Sequence, residues 1–299
     1  MAVSVATSAR RLVVAVPYLW LLLFFLAPFV IVLRMALSDA ATALPPYAPH
    51  FEGLSTIGSF LSQLDLENFS LITDDPLYWQ SYLYSLRIAA LTTLIALGIG
   101  YPLAYAMAAA SRRWQGLLLV LVILPFWTSF LIRVYAWIGI LRPEGLLDMV
   151  LGGLGLAGEP LRLLNTETAV LIGMVYSYLP FMVLPLFTTL EKLDRSLLEA
   201  AADLGSTPLT AFLTVTLPLS LPGILAGCAL VFIPAVGEFV IPDLLGGPDT
   251  VMIGKVLWNE FFSNRDWPLA SAVAIVLLIV LVLPLVLLQR ARLARGGAA

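Results

Sequence analysis

Charge is scarce in this chain of 299 residues: 12% are Asp, Glu, Lys or Arg, against about 25% in a soluble domain. Cysteine and histidine are scarcer still, with one of each, Cys228 and His50. A single cysteine excludes an intramolecular disulfide. A single histidine removes the basis for a histidine-rich metal site, and both residues read as ordinary packing or loop positions. No metal and no cofactor is expected. The net charge of -3 lacks the basic excess that nucleic acid binding requires. A phosphate-binding loop is also missing: the nearest string, GGPDTVMIGKV, has the wrong glycine spacing and ends Gly254-Lys255-Val256 without a hydroxyl. There is no GxSxG, no HExxH and no plausible pair of catalytic carboxylates, so the chain is not expected to be an enzyme.

What is present is apolar. Hydrophobic residues make up 61% of the chain and the mean hydropathy is +0.98, which places it in the membrane class. Six runs are long enough to cross a bilayer, at residues 12–37, 80–110, 117–141, 166–190, 223–245 and 269–289. The expectation is an all-α membrane protein with six transmembrane helices. The first run is too long for the core of a secretory signal and lacks a small-residue cleavage site, so it reads as a retained span. Prolines at 28, 102, 125, 180, 185, 234 and 242 read as kinks whose freed carbonyls neighbouring helices satisfy.

Lysine and arginine set the orientation. Arg10, Arg11, Arg112, Arg113, Lys192, Arg195, Arg290, Arg292 and Arg295 fall on one side, and only Arg142, Arg162, Lys255 and Arg265 on the other. Both termini are therefore expected in the cytoplasm. The first outer loop, residues 38–79, has six acidic residues and no basic one, with a short helix expected over residues 60–64. The second, 142–164, is glycine-rich, and the third contains an amphipathic piece, IGKVLWNEFF, suited to a membrane surface or a neighbouring subunit.

Between the fourth and fifth runs lies LLEAAADLGSTPLTAFLTVTLP. Glu191, Arg195, Glu199 and Asp203 recur every four residues, so a helix with opposite-charge pairs is expected there, each pair contributing about 0.2–0.5 kcal/mol. Ala200, Ala201 and Ala202 favour that helix. Gly205 supplies a left-handed stop, and Thr207 as N-cap with Pro208 behind it restarts a helix, which Pro218 and Pro222 are expected to end. The element is either a turn between spans or a docking surface for a cytoplasmic partner. A turn needs only a few residues, and this segment has about 30.

The order Glu199-Ala200-Ala201, three residues, Gly205, nine residues, Val215, one residue, Leu217-Pro218 resembles the EAA motif of binding-protein-dependent ABC importer permeases, with valine where isoleucine is usual. Longer stretches, LPFWTSFLIRVYAW, YLPFMVLPL, FIPAVGEFVIPDLLGG and NRDWP, resemble the polyamine (putrescine/spermidine) importer permeases, nearly end to end after Arg10. The resemblance implies the type I importer permease fold in a bacterial inner membrane. It also implies a coupling element over 191–222 within a core domain of 80–290. Residues 1–79 precede that core as a span and periplasmic loop, and 291–299 follow it as a cytoplasmic tail. In the coupling element, Glu199 would be the acidic anchor and Ala200 and Ala201 the packing face. Gly205 would be the turn, with Asp203, Leu217 and Pro218 completing the contact with an ATPase. The implied partners are a second homologous permease, two ATP-binding subunits and a periplasmic binding protein. ATP hydrolysis would belong to the partner.

Glu238 lies inside the fifth run, where a charge costs about 2.5–3.5 kcal/mol at mid-membrane and so usually faces a cavity or a partner. Pro234, Gly237 and Pro242 loosen the helix around it, as in helices that line a pathway. A carboxylate there suits a diamine, with Asp243 as a second contact one turn on. The competing reading is an internal ion pair with Arg133 or Arg87. Trp127 and Tyr135, with Phe126 and Trp137, offer ring faces for an ammonium, or else pack or sit at the interface; Tyr176 and Tyr178 are weaker candidates. Gly223 and Gly227 form a small-xxx-small pair for close helix contact. A solute other than a polyamine is the nearer alternative. A self-contained secondary transporter is the more distant one, and would be expected to carry inverted repeats.

Overall fold

The computed structural model of the chain describes residues 13–50, 62–155 and 161–296. Arg10 and Arg11, and residues 60 and 61 of the helix expected over residues 60–64, lie outside them.

Helix α1 (Val13–Ala36) is followed by two short antiparallel strands, β1 (Asp39–Ala40) and β2 (Tyr47–Ala48), paired Asp39 to Ala48 and Ala40 to Tyr47. Then come α2 (Glu67–Asp74), α3 (Pro76–Ala109), α4 (Arg112–Trp127), α5 (Phe130–Leu141) and α6 (Leu146–Gly153). They are succeeded by α7 (Glu167–Leu190), α8 (Arg195–Asp203), α9 (Pro208–Val236) and α10 (Val240–Leu245). Helix α11 (Ile253–Trp258) continues as a π-helical stretch, Asn259–Asn264, and α12 (Trp267–Gly296) closes the order. Among the described residues, five helices are long and apolar enough to span a membrane, and six if the bent pair α4–α5 counts as one span.

The chain divides into two compact units, Met1–Gln80 with Val256–Ala299, and Ser81–Lys255. In the first, α12 packs along α1 and against α2. The Asn68 amide joins α2 to the end of α1, donating to the carbonyls of Ala36 at 3.1 Å and Ser38 at 2.8 Å. The side chains of α1 are exposed from Val13 to Leu26, as lipid-facing positions are expected to be. Glu260 is buried, accepting from the Tyr78 hydroxyl at 3.0 Å and the Asn264 amide at 2.8 Å.

In the second unit the most extensive packing is α7 against α9. A Cβ on Gly223 would lie 2.6 Å from Thr189 Oγ1, and one on Gly227 2.8 Å from Met182 Sδ. The small-residue pair thus does allow the close approach its spacing implied. Gly100 of α3 meets the same Met182, so three helices converge on one buried methionine.

Three sequence expectations need correction. The run 117–141 is not one continuous helix: α4 and α5 meet at 90°. The LPFW stretch tightens into a 3-10 turn, and Arg133 donates to the carbonyls of Pro125 and Thr128, which satisfies backbone that the bend leaves open. Second, Pro218 and Pro222 do not end the helix begun at Pro208, which runs on to Val236. A π-helical stretch, Phe212–Thr216, immediately precedes Leu217-Pro218, and the Leu217 amide bonds to the Phe212 carbonyl. The wider turn takes up the ring where a regular α-helix would clash. The same arrangement, Leu22–Leu26 before Ala27-Pro28, carries α1 past its proline. The fifth span accordingly starts earlier than residue 223 and stops at Val236, with residues 240–245 a separate helix. Third, the charged helix begins at Arg195 and not Glu191, which caps α7. The ion pairs among the described residues are Arg87–Glu167 and Lys255–Asp243, so the expected pairs through Arg195 are not formed.

Candidate functional site

The chain leaves α9 at Gly237 and re-enters a helix at Val240. Glu238 stands in that gap, half-buried. Its Oε1 accepts from the backbone N–H groups of Val240 at 3.0 Å and Ile241 at 3.4 Å, and so caps the first turn of α10. Its Oε2 accepts from the Tyr178 hydroxyl of α7 at 2.5 Å. The gap is closely supported by backbone: a Cβ on Gly254 would run into the carbonyl oxygens of Gly237 and Glu238.

Rings extend away from this carboxylate. The Tyr178 centroid lies 6.3 Å from that of Phe181, and Phe181 meets Phe126 edge-on at 5.2 Å. The Arg133 guanidinium covers the Phe126 ring at 5.2 Å. One connected row therefore runs from the α4–α5 bend through α7 to the gap after α9. Neither arginine raised as an ion partner reaches the acids of this region. Arg87 pairs with Glu167 at 2.7 Å, with the Tyr84 hydroxyl on the same carboxylate, and Arg133 serves the bend. Asp243 is paired instead with the Lys255 ammonium at 3.0 Å. Trp127 and Tyr135 are exposed, at 77% and 59%, and no ring contact places them in the row. Tyr178 and Phe181 are the residues the sequence undervalued. The signal available was their three-residue spacing in YLPFM, which puts both on one helical face.

A second locus lies around α8. Asp194 is its N-cap, accepting from the Ser196 N–H at 3.0 Å, and that bond holds the Asp194 carboxyl below its ordinary range. At the other end the Ser206 N–H bonds to the Ala201 carbonyl and the Gly205 N–H to the Ala202 carbonyl, with Gly205 at φ +81°. That is a complete Schellman stop. Thr207 then caps Pro208 and its successors, accepting from the Thr210 N–H at 3.2 Å. Glu199, Ala200, Asp203 and Gly205 are exposed and Ala201 half-buried; farther on, Leu217 is half-buried and Pro218 exposed. A cavity of about 540 Å³, lined among others by Tyr105, Arg112, Glu191, Arg195, Glu199 and Thr216, opens beside α8. Elsewhere, Asp39, Asp65 and Glu67 approach one another but are all exposed, and an exposed acidic trio alone makes no metal centre.

The sequence profile of the binding-protein-dependent transport system inner membrane component family matches residues 100–292, which hold both loci. The chain belongs to this family. Among its relatives, the spermidine/putrescine transport system permease protein PotB of Haemophilus influenzae is 41% identical over 284 residues, covering 94% of this chain and 93% of that protein. The Escherichia coli protein of the same name is 45% identical over 226 residues, 76% of this chain and 82% of its own. In fold, this family member is similar to a chain of a bacterial ABC transporter involved in the import of the acidic polysaccharide alginate, with a TM-score of 0.68 at 17% identity over 97% of this chain and 99% of that one. A chain of the MetNI methionine ABC transporter gives 0.54 at 17% identity over 74% and 98%. The expected fold, an importer permease of membrane-spanning helices, is the one found.

Proposed function

We propose that this inner membrane component is one of two homologous permease subunits of an ATP-driven importer that moves putrescine or spermidine from periplasm to cytoplasm. The observation that carries the cargo is the 41% identity to a spermidine/putrescine permease across 94% of the chain. The geometry around Glu238 supports it: a half-buried carboxylate with no cation among its partners in the described residues, beside a row of aromatic rings, suits an ammonium group. Asp243 already holds one ammonium, that of Lys255, and cargo would compete with it there. The exposed rings of Trp127 and Tyr135 would belong to the passage only if a second permease faces them.

Both termini lie in the cytoplasm on this reading, and with them the corner at Gly205. Two ATPase subunits engage Glu199, Ala200, Ala201, Asp203 and Gly205, with Leu217 and Pro218 at the base, and a periplasmic binding protein delivers cargo on the opposite side. Hydrolysis takes place on the partners, and the permease shifts only as far as nucleotide and binding protein discriminate between its states.

The test is uptake of radiolabelled putrescine into proteoliposomes containing the whole transporter. Uptake should require active ATPases, be reduced by excess spermidine, and fall at least tenfold (about 1.4 kcal/mol) in Glu238→Gln. Uptake that persists with inactive ATPases sinks the ATP-driven reading, and indifference to both polyamines sinks the cargo.

A further inference from the structure

The two oxygens of Glu238 are not equivalent. Oε1 is committed to backbone, accepting the N–H groups of Val240 and Ile241, and releasing it would open the first turn of α10. Oε2 is held by a side chain, the Tyr178 hydroxyl. Tyr178 is 8% exposed, whereas the next two rings of the row, Phe181 and Phe126, are 37% and 38% exposed. The movable donor therefore sits where a closed aromatic contact gives way to open ring faces.

We propose that the Tyr178 hydroxyl is a placeholder for cargo: it occupies the oxygen of Glu238 that an alkylammonium group takes, and the carboxylate exchanges one donor for the other as cargo passes. The inference rests on the reading of Glu238 as a pathway residue. A half-buried carboxylate with one oxygen unpaired is costly, so the empty carrier needs a donor there. A resident arginine or lysine would satisfy it too well, because cargo would then have to displace an ion of its own charge. Arg87 and Arg133 are engaged elsewhere. A phenol is neutral, so its bond to the carboxylate is charge-assisted from one side only, whereas an ammonium adds the attraction of an opposite charge, and so it can displace the hydroxyl. The ring stays against Phe181 while the hydroxyl yields, and the exposed phenyl faces receive the methylene chain and the charge. Tyr178 is on this account a positioning and specificity residue that acts through Glu238.

The experiment uses the complete transporter with inactivated ATPases and without its binding protein, and measures equilibrium retention of radiolabelled putrescine. Wild type, Tyr178→Phe, Glu238→Gln and the double variant are compared. Tyr178→Phe should retain putrescine more tightly by about tenfold or more, the scale set by one hydrogen bond to a charged group. Glu238→Gln should lose retention, and the double variant should match it, since the hydroxyl acts only through the carboxylate. Unchanged or weaker retention in Tyr178→Phe, with loss in Glu238→Gln, overturns the placeholder and leaves Glu238 in the pathway. Retention by Glu238→Gln equal to wild type, or absent from both, overturns the exchange and removes its footing. Should Tyr178→Phe fail to assemble, 3-fluorotyrosine in place of Tyr178 gives a stronger donor of nearly the same shape. It should weaken retention, and an unchanged value overturns the proposal.

Discussion

Arg133 donates from Nη1 to the carbonyl oxygens of Pro125, at the end of α4, and Thr128, in the 90° bend between α4 and α5. The same guanidinium lies over the rings of Phe126 and Phe130 at 5.2 and 5.8 Å. One side chain thus braces the bend from both its polar and its aromatic side. Arg133→Met keeps much of the stem and removes the donors, and hydrogen bonds to a charged group contribute about 1.5–3 kcal/mol. Amide exchange of residues 128–133 should speed up by at least tenfold in nanodiscs. Unchanged exchange would show that the bend does not depend on the guanidinium.

Gly205 sits at φ +81° with no atom within 4 Å of the position a Cβ would take. The cost of Gly205→Ala is therefore backbone strain alone, about 1–2 kcal/mol. Insertion and recovery of the transporter should be normal, with reduced stimulation of the ATPases by the loaded binding protein. Gly205→Pro should abolish that stimulation. Wild-type stimulation in both variants would discredit the corner as a coupling element.

At Gly223 the limit is space. A Cβ would lie 2.6 Å from Thr189 Oγ1 and 2.9 Å from the Pro185 carbonyl, and the latter is backbone and cannot yield cheaply. Gly223→Leu should force α7 and α9 apart, at a cost of about 1–3 kcal/mol or more, and lower the midpoint of thermal unfolding in detergent. Gly116→Leu, where nothing lies within 4 Å, is the matched control. Equal midpoints for the two variants would contradict this packing.

Asp194 caps α8 through its carboxylate, and the bond to the Ser196 N–H lowers its pKa below the ordinary 3.8. A depressed carboxyl stabilises the folded form above its unfolded pKa, and that stabilisation is lost as pH falls through the folded value. Exchange protection of the first turn of α8 should therefore be flat near neutral pH and decline below about pH 3.8. Asn is an equally good N-cap, so Asp194→Asn should keep protection at neutral pH and lose the acid decline. A decline that survives in Asp194→Asn would assign it to another group.

The spans were legible because bilayer thickness demands long apolar runs. The corner at Gly205 was legible because a Schellman stop, a threonine cap and an N1 proline are local chemistry. What the sequence hid was non-local or turned on backbone adjustment. Pro218 reads as a stop in any one-dimensional pattern, and only the π-helical stretch before it lets α9 continue. The break at residues 128–129 lies inside an unbroken apolar run, and what settles the bend is where Arg133 finds its carbonyls. Glu238 announced that it needed partners. Its partner Tyr178 lies 60 residues away, and Asp243 found Lys255 in place of either candidate arginine, pairings that only helix packing decides.

The continuity of α9 has a mechanical consequence. Its 29 residues make a rod about 43 Å long, jointed at Gly205 at one end and at Gly237 at the other. A tilt of about 10° around the first joint would carry the second through about 7 Å, more than one full helical pitch. A small push on the corner at Gly205 would therefore arrive at Glu238 magnified, and would bear on the gap after α9, where the chain has already been released from helical geometry.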